Sequence, residues 1–503
     1  MSRAALPAVR KEARALLPTF TAAAIGVAVC GWMASSTFWI WSPTFRSVGL
    51  FGYGLGALAL GAQSVGHEYS YRTLALLLSQ PADRRRLFLI KLAVVVPMLL
   101  VLGTIAWSLL PPEGSLPRGS EAWYPEVILV AAASALFVAP WLTMLCRSEM
   151  AGVVFSMVLP AILIVSGDLI GLALHGFGNA AAVDAFKATF FSIAFVILCT
   201  IGGFAAWRVF MRLEAIEGRG PEVRLAERFA GRATAATPPS RVVHPMWALT
   251  KKELHLQQLT FAIAAIYVAL WLTLVFFKRA DGGPVVPLTL LYVGALAILM
   301  GSLASAEERQ HGTLEWQLLQ PIAAWKQWAV KLAVILGLAA ALAIVLPGLA
   351  SLFGPNDIVR VPVRVWTVAA LVLTSASLYV SSLNNSGVRA MAFSVPTIFL
   401  AFTAFNLVRA TVSRLTDLAF GTGADVLRRL PRGTWTAWAT TNEYLWSVLA
   451  VGLAALFVAF AFANHRSVER SAARIWPQAA WLATFLMFGI AVSNVVRLFY
   501  FTP

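Results

Sequence analysis

The sequence predicts an all-α polytopic membrane protein with two parallel six-helix repeats, short cytoplasmic coupling helices and one extra C-terminal span. Three observations support this fold class: the composition, apolar runs long enough to cross a bilayer, and an internal repeat. Of the 503 residues, 59% are hydrophobic and 12% are charged, and the mean hydropathy is +0.77. Soluble domains contain about 25% charged residues. This chain therefore has more apolar side-chain surface than a soluble core can bury.

Apolar runs of about 20 residues, the length that a helix needs to span a bilayer, recur along the whole chain. The predicted spans are residues 20–41, 48–65, 87–110, 125–146, 151–174, 189–209, 259–277, 285–305, 327–353, 364–383, 388–408, 443–463 and 478–500. The N-terminus is polar and basic through Arg14, and the first apolar run already has spanning length. We therefore predict no removable signal peptide.

The net charge of +16 is distributed as in a membrane protein, which argues against nucleic acid as a partner. With the N-terminus inside, 26 Lys and Arg residues fall on the inner side of the predicted spans and 13 fall outside. This excess follows the positive-inside rule and predicts a bacterial inner-membrane protein with a cytoplasmic N-terminus. The exception is outer loop 409–442, which has five arginines; the stretch Asn406–Leu430 is typical of an interfacial amphipathic helix.

The predicted spans and the polar segment between them divide the chain into four parts. These are residues 1–211 (first half), 212–250 (cytoplasmic linker), 251–463 (second half) and 464–503 (extra C-terminal span). The linker prediction rests on a charged segment rich in Gly, Pro and Ala. Three cysteines lie far apart within or beside spans and indicate neither a metal motif nor a disulfide framework. They are Cys30, Cys146 and Cys199.

An internal repeat appears when the chain is shifted by 240 residues, the difference between Glu68 and Glu308. Two polar segments then align, each between the second and third spans of its half: His67–Val94 and Glu307–Val334. The identical pairs are Glu68 with Glu308, Thr73 with Thr313, Leu74 with Leu314, Gln80–Pro81 with Gln320–Pro321, and Lys91–Val94 with Lys331–Val334. Six spans in each half give both halves the same orientation, so the repeat is parallel about an axis normal to the membrane.

Each repeated segment is predicted to form a short helix at the cytoplasmic surface. In the first copy, Leu74, Leu77 and Leu78 follow a helical spacing. Pro81 ends that pattern because proline does not continue the hydrogen-bond ladder. A basic cluster, Arg84–Arg85–Arg86, then leads into the next span. We expect a helix held between two spans in this way to transmit a push from a cytoplasmic partner to both.

This arrangement of Glu, Thr-Leu, paired leucines, Gln-Pro and a downstream Lys resembles the loop between spans two and three of ABC-2 type permeases. The basic starts Arg10–Lys11–Glu12 and Lys251–Lys252–Glu253 are similar to the interfacial elbow helix of that family. The resemblance covers about 10–211 and 250–463. It implies the transmembrane permease subunit of an exporter, with both channel-forming halves in one chain and an unidentified substrate. Trp32, Trp39 and Trp41 are candidates to line a path for an amphiphilic substrate, and tryptophan is equally typical of membrane interfaces.

The resemblance also implies a partner, namely an ABC ATPase in two copies that binds ATP and magnesium and docks on the two short helices. This chain would then be neither an enzyme nor a binder of any cofactor. The implied docking residues are Glu68, Thr73, Leu74, Leu77, Leu78, Gln80, Pro81, Glu308, Gly312, Thr313, Leu314, Leu318, Gln320 and Pro321. The basic residues that lead into the third span of each half are Arg84, Arg85, Arg86, Lys91 and Lys331. The copies differ at Tyr71–Arg72 against His311–Gly312, so we expect two unequal docking sites.

The sequence contains no G-x4-GK-[ST] phosphate loop, which supports a separate ATPase. The glycines of Gly52–Gly56 lie in a span, and we predict that they allow close helix packing.

Three other classes remain open at this stage. A secondary transporter of the major-facilitator type also has two six-span halves, and Asp83–Arg86 resembles its acidic-basic motif without the motif's glycines. A lipid-modifying membrane enzyme would need a polar group at one membrane face, for which Asp168 and His175 are the best candidates. Asp168 is also a candidate for a transport pathway, since an intramembrane acid is often functional. A membrane scaffold is the third class, and an ATPase that co-purifies would separate the exporter from all three.

Overall fold

A computed structural model describes most of the chain, and nearly all of the described part is helical, with no strand there. The described residues are 5–35, 42–70, 83–110, 124–176, 179–212, 245–277, 285–310, 312, 314, 317, 319, 322–353, 363–398, 432–467 and 472–501.

The described residues of the first half form six helices, numbered here in chain order. They are α1 (Ala5–Ser35), α2 (Ser42–Ser70), α3 (Arg84–Leu109), α4 (Tyr124–Ala133, continuing through a π-helical turn at Ser134–Val138 into Ala139–Cys146), α5 (Glu149–His175) and α6 (Ala180–Met211). Polar side chains cap three of them: Asp83 accepts from the Arg85 amide, Ser148 from Ala151 and Asn179 from Ala182. Such caps satisfy amides that have no partner within the helix.

The second half begins with a helix that precedes its first span. The helices are α7 (Pro245–Leu256), α8 (Gln258–Phe277), α9 (Val285–Gln310), α10 (Ala324–Leu338, continuing through a π-helical segment at Ala339–Val345 into Leu346–Phe353), α11 (Val363–Leu383), α12 (387–398), α13 (Arg432–His465) and α14 (Ala472–Phe501). Because α7 begins at Pro245, the last residues of predicted linker 212–250 are helical. In the first half, the corresponding basic residues Arg10–Glu12 lie inside α1 and not in a separate helix.

Twelve helices of the described part are long and apolar enough to cross a membrane. The chain is therefore a polytopic membrane protein, and these twelve correspond to twelve of the thirteen predicted spans. Of the remaining predicted span, 388–408, only the residues through 398 are described. Most of the predicted linker and of outer loop 409–442 also lies outside the described residues.

Small residues allow the helices of the first half to approach closely, as the sequence predicts for the glycine-rich part of α2. A Cβ atom at Gly56 would collide with Ala23 of α1, and one at Gly61 would collide with the backbone carbonyl of Ala135 in α4. Close backbone approach of this kind is the usual basis of helix association in a bilayer, where apolar burial supplies no driving force. A larger residue at either glycine would separate the helices.

Contacts divide the chain into two compact units. One comprises Met1–Leu259, Val268–Lys278 and Asn385–Pro396, and the other comprises Thr260–Tyr267, Arg279–Asn384 and Thr397–Pro503. The first unit thus includes a short segment of the second half, within which the Arg389 guanidinium donates to the Ala15 carbonyl of α1 at 3.1 Å.

Candidate functional site

Four ionisable side chains meet where α2 ends and α3 begins. We call Glu12, His67, Glu68 and Lys91 the first-half cluster; each is at least nine-tenths buried. The Lys91 ammonium lies 3.0 and 3.1 Å from the two carboxylate oxygens of Glu12, and 3.5 Å from Oε1 of Glu68. One lysine of α3 therefore holds a carboxylate from α1 and another from α2.

His67 adds an imidazole to the same cluster. Its Nδ1 lies 2.7 Å from the Gln63 carbonyl oxygen, and because a carbonyl only accepts, we assign Nδ1 as the donor. Nε2 then faces the carboxylates, 3.1 Å from Glu68 and 3.6 Å from Glu12. Lys11, whose side chain is half exposed, lies 3.7 Å from Glu68 at the edge of the cluster.

The ligand atoms of Glu12, His67 and Glu68 all lie within 4.8 Å of one another, a spacing that would suit a metal ion. Lys91 already supplies a cation to both carboxylates, so the arrangement is complete as an ion pair network. The Lys91 ammonium neutralises the two carboxylates that a metal ion would otherwise bind.

The second half has a simpler version of the same contact. The Lys331 ammonium of α10 pairs with the Glu308 carboxylate of α9, and also donates to the Ala304 carbonyl at 2.5 Å. We call Glu308 and Lys331 the second-half pair; at most 1% of either side chain is exposed. The residue corresponding to His67 is Glu307, so the repeat supplies a carboxyl group and not an imidazole at this position.

Both contacts link the same two helices of their halves. Glu68 lies in the last turn of α2 and Glu308 in the last turn of α9. Both therefore belong to the spans that precede the predicted short helices and not to those helices. Lys91 and Lys331 lie two turns into α3 and α10. Removing one partner of a buried pair leaves an uncompensated charge, so these contacts hold the ends of the segment between the helices firmly.

An arginine at one end of each segment also donates hydrogen bonds to the end of the sixth span of its half, which is α6 in the first half and α13 in the second. In the first half, Arg84 donates to the carbonyl oxygen of Met211 at the end of α6, at 2.6 Å. In the second half, Arg309 donates to the carbonyl oxygens of Asn464 and Ser467 at the end of α13, at 2.8 and 3.3 Å. Each segment is thus connected to three helices of its own half.

Most of the predicted docking residues lie outside the described residues. These are Thr73, Leu74, Leu77, Leu78, Gln80, Pro81, Thr313, Leu318, Gln320 and Pro321. Leu314 is buried at 3% exposure, so its side chain packs within this chain, while the neighbouring Leu319 is 78% exposed. Gly312 has φ of +67°, a conformation that favours glycine over other residues.

The second segment is held by a residue that sequence reasoning missed. The Gln327 amide of α10 is buried and donates to the Gln317 carbonyl at 3.0 Å and to the Ile322 carbonyl at 2.8 Å. Glutamine at the start of a span gives no signal by itself. The signal that could have revealed the ion pairs is the identical spacing from Glu68 to Lys91 and from Glu308 to Lys331.

The basic residues predicted to lead into the third span have different surroundings. Arg85 and Arg86 are exposed, whereas Lys91 and Lys331 are buried in the ion pairs described above.

Asp168 of α5 is also buried, and its carboxylate lies 3.1 Å from the Lys187 ammonium of α6. The candidate pathway acid is therefore paired. His175 is exposed and packs edge-on against Phe186.

Comparisons of the chain with protein-family models, with curated proteins and with solved structures give no match.

Proposed function

We propose that this chain is the transmembrane permease subunit of an ABC-2 type exporter in a bacterial inner membrane, with its N-terminus in the cytoplasm. The supporting observation is the buried Glu–Lys contact that joins the second and third spans of each half. Between the joined helices lie residues 71–83 and 311–323, segments of equal length that contain the repeated Thr-Leu and Gln-Pro pairs. A partner that pushes on either segment would move both attached spans together.

The arginine contacts extend this argument to the sixth span of each half. Arg84 and Arg309 connect the segments to the ends of α6 and α13, so a displaced segment would also pull on those helices. Packed helices and buried polar contacts have discrete arrangements and pass a local shift on to their neighbours. In the proposed exporter, two copies of a separate ATPase bind ATP and magnesium, and this chain provides the path for an amphiphilic substrate.

The decisive experiment is purification of the chain from its native membrane, identification of the ATPase that co-purifies with it, and measurement of ATP hydrolysis. We expect the chain alone to hydrolyse no ATP and to form a stable complex with that ATPase. In the variant Leu74→Asp/Leu78→Asp, binding should weaken at least about 100-fold, because each buried leucine contributes roughly 1.5–3 kcal/mol. The matched control, Ala75→Asp/Ser79→Asp, adds the same charge outside the predicted row of Leu74, Leu77 and Leu78 and should leave binding unchanged.

Two results would contradict the proposal. The first is hydrolysis of ATP by the purified chain in the absence of any partner. The second is equal ATPase binding by both double variants and the wild type, which would remove the segment from the docking site.

A proton-coupled secondary transporter is the second candidate, and the first-half cluster favours it. Buried carboxylates beside a histidine occur in the proton relays of membrane transporters, and Glu12, His67 and Glu68 form such a group. Transport into vesicles driven by a pH gradient, without ATP and abolished by Glu68→Gln, would support this candidate over the exporter.

A further inference from the structure

A group of arginines converges where α3 begins and α6 ends. Arg84, Arg85 and Arg86 open α3, and Arg208 and Arg212 lie in the last turn of α6 and just beyond it. The hydrogen bond from Arg84 to the Met211 carbonyl brings the two ends together. Arg85, Arg208 and Arg212 are exposed, and the single acidic neighbour among the described residues of these two ends is Asp83. We call these five arginines the α3–α6 basic patch.

Below this patch, toward the middle of both spans, the surface becomes aromatic and apolar. Phe88 of α3 packs edge-on against Trp207 of α6 with ring centroids 5.3 Å apart, and against Phe210 at 5.2 Å. Leu89 and Phe204 are exposed by 57% and 61%, and the Arg208 guanidinium lies 5.1 Å above the Phe204 ring. Cationic groups therefore lie at the end of the helices, directly next to an apolar surface that continues into the span.

We propose that the α3–α6 basic patch binds the headgroup of an anionic phospholipid, with its acyl chains against Leu89 and Phe204. Basic pockets between transmembrane helices suit anionic headgroups, and tryptophan is favoured at the level of the headgroups. The charged groups lie at the ends of the helices and the apolar surface lies toward the middle of the spans. This arrangement fits a phospholipid and not a soluble anion. This inference is independent of the proposed export function, because it requires only that the helices span a membrane.

The corresponding place in the second half has three basic residues among the described ones, where the first half has five. The start of α10 contributes Lys326, which lies 5.6 Å from the Trp325 ring, the end of α13 contributes Arg466 over Phe462, and Arg309 of α9 bonds the end of α13. We therefore expect one preferred lipid site per chain, in the first half. Such a lipid would contact the helix that follows segment 71–83 and the end of α6.

The test is a titration of the full chain in detergent with palmitoyl-oleoyl phosphatidylglycerol, with bound lipids counted by native mass spectrometry and phosphatidylcholine as the comparison lipid. The wild type should bind the first phosphatidylglycerol more tightly than phosphatidylcholine. Each basic residue near an anionic lipid contributes about 1 kcal/mol, or roughly fivefold in affinity. Arg85→Gln/Arg212→Gln should therefore weaken phosphatidylglycerol binding about 25-fold, and Arg85→Lys/Arg212→Lys should retain most of it.

The matched control is Arg10→Gln/Arg14→Gln, which removes the same charge from exposed positions at the start of α1. It should change the affinity less than about twofold, on the same scale of charge effects. Equal losses in the two Gln variants would overturn the proposal in favour of a diffuse basic surface. Equal affinity of the wild type for the two lipids, or displacement of phosphatidylglycerol by inorganic phosphate alone, would also overturn it.

Discussion

Single buried charges determine how tightly the ends of each repeated segment are held. Lys331 pairs with the Glu308 carboxylate, next to Glu307 in the chain, whereas Lys91 contacts two carboxylates of a cluster that also contains His67. A buried charge that loses its partner is strongly destabilising, while replacing both partners by neutral groups often has little net effect. The two halves therefore differ in how they respond to loss of one charge.

The second-half pair should show this behaviour clearly. We expect Lys331→Met to destabilise the protein by about 3–5 kcal/mol, since Glu308 stays buried without its lysine. The double variant Glu308→Gln/Lys331→Met should recover most of that loss. The measurement is the melting temperature of the detergent-solubilised chain, which is taken from the loss of its monodisperse chromatographic peak on heating. A double variant that melts as low as the single one would show that the pair is not the cause.

The first-half cluster should respond to the loss of its lysine by gaining a metal site. In Lys91→Ala, two carboxylates and the His67 imidazole would face each other without the ammonium, with ligand atoms within 4.8 Å. These are zinc ligands, which bind at about 2.0–2.2 Å. We expect zinc to raise the melting temperature of Lys91→Ala, and chelator to lower it again. Lys331→Ala is the control, because Glu307 stands there in place of the His67 of the first-half cluster, and an equal zinc effect in that variant would contradict the prediction.

At the scale of elements, the sequence predicts the helices well and their polar contacts poorly. Twelve predicted spans correspond to helices, because runs of apolar residues report membrane spans directly. The repeat also marks real boundaries: α2 and α9 end at Ser70 and Gln310, and α3 and α10 begin at Arg84 and Ala324, each 240 residues apart. In the sequence, however, Lys91 and Lys331 are explained equally well by the positive-inside rule and by burial in an ion pair. Their burial depends on which helices are neighbours, which periodicity does not report.

The last helix, α14, illustrates a contact that no sequence pattern reveals. Gln478 is buried, its amide donates to the Asn464 side chain at 2.9 Å, and its carbonyl accepts from the Tyr379 hydroxyl at 3.1 Å. Gly452 of α13 lies against Phe485 of α14, and Gly489 of α14 lies against Leu449 of α13, so these two helices pack closely. The extra span is thus anchored to α13 and α11 by specific side chains.

Gln478→Leu should loosen that anchor. The Tyr379 hydroxyl and the Asn464 amide would each lose a buried hydrogen-bond partner, at a cost of about 1–3 kcal/mol per group. We expect a lower melting temperature and faster proteolysis after α13. Trp481→Leu is the control because that side chain is 64% exposed, and its melting temperature should stay close to that of the wild type. Equal losses in the two variants would mean that general apolar packing, and not the amide, holds α14.

At the scale of the whole molecule, the buried pairs allow docking to be separated from transmission of force. In the proposed exporter, the ATPase binds the predicted docking residues of each segment, whereas the buried pairs join the two spans that the segment connects. The variants Glu68→Gln and Glu308→Gln/Lys331→Met each remove the link between the two spans. Neither leaves a buried lysine without a partner, since Lys91 keeps Glu12 in the first variant and Lys331 is absent from the second. Both variants should therefore fold and bind the ATPase like the wild type.

Their stimulation of ATP hydrolysis should nevertheless fall. Coupling between distant sites is typically 1–3 kcal/mol, or about 5–150-fold, so loss of the link should lower permease-stimulated hydrolysis about fivefold or more. The loss should be larger for the second-half variant, because in the first half Lys91 still connects α3 to Glu12 of α1. The measurement is the hydrolysis rate of the purified ATPase with each reconstituted variant, at concentrations where binding is complete. If ATPase binding falls as much as hydrolysis does, the pairs shape the docking surface and transmit nothing beyond it.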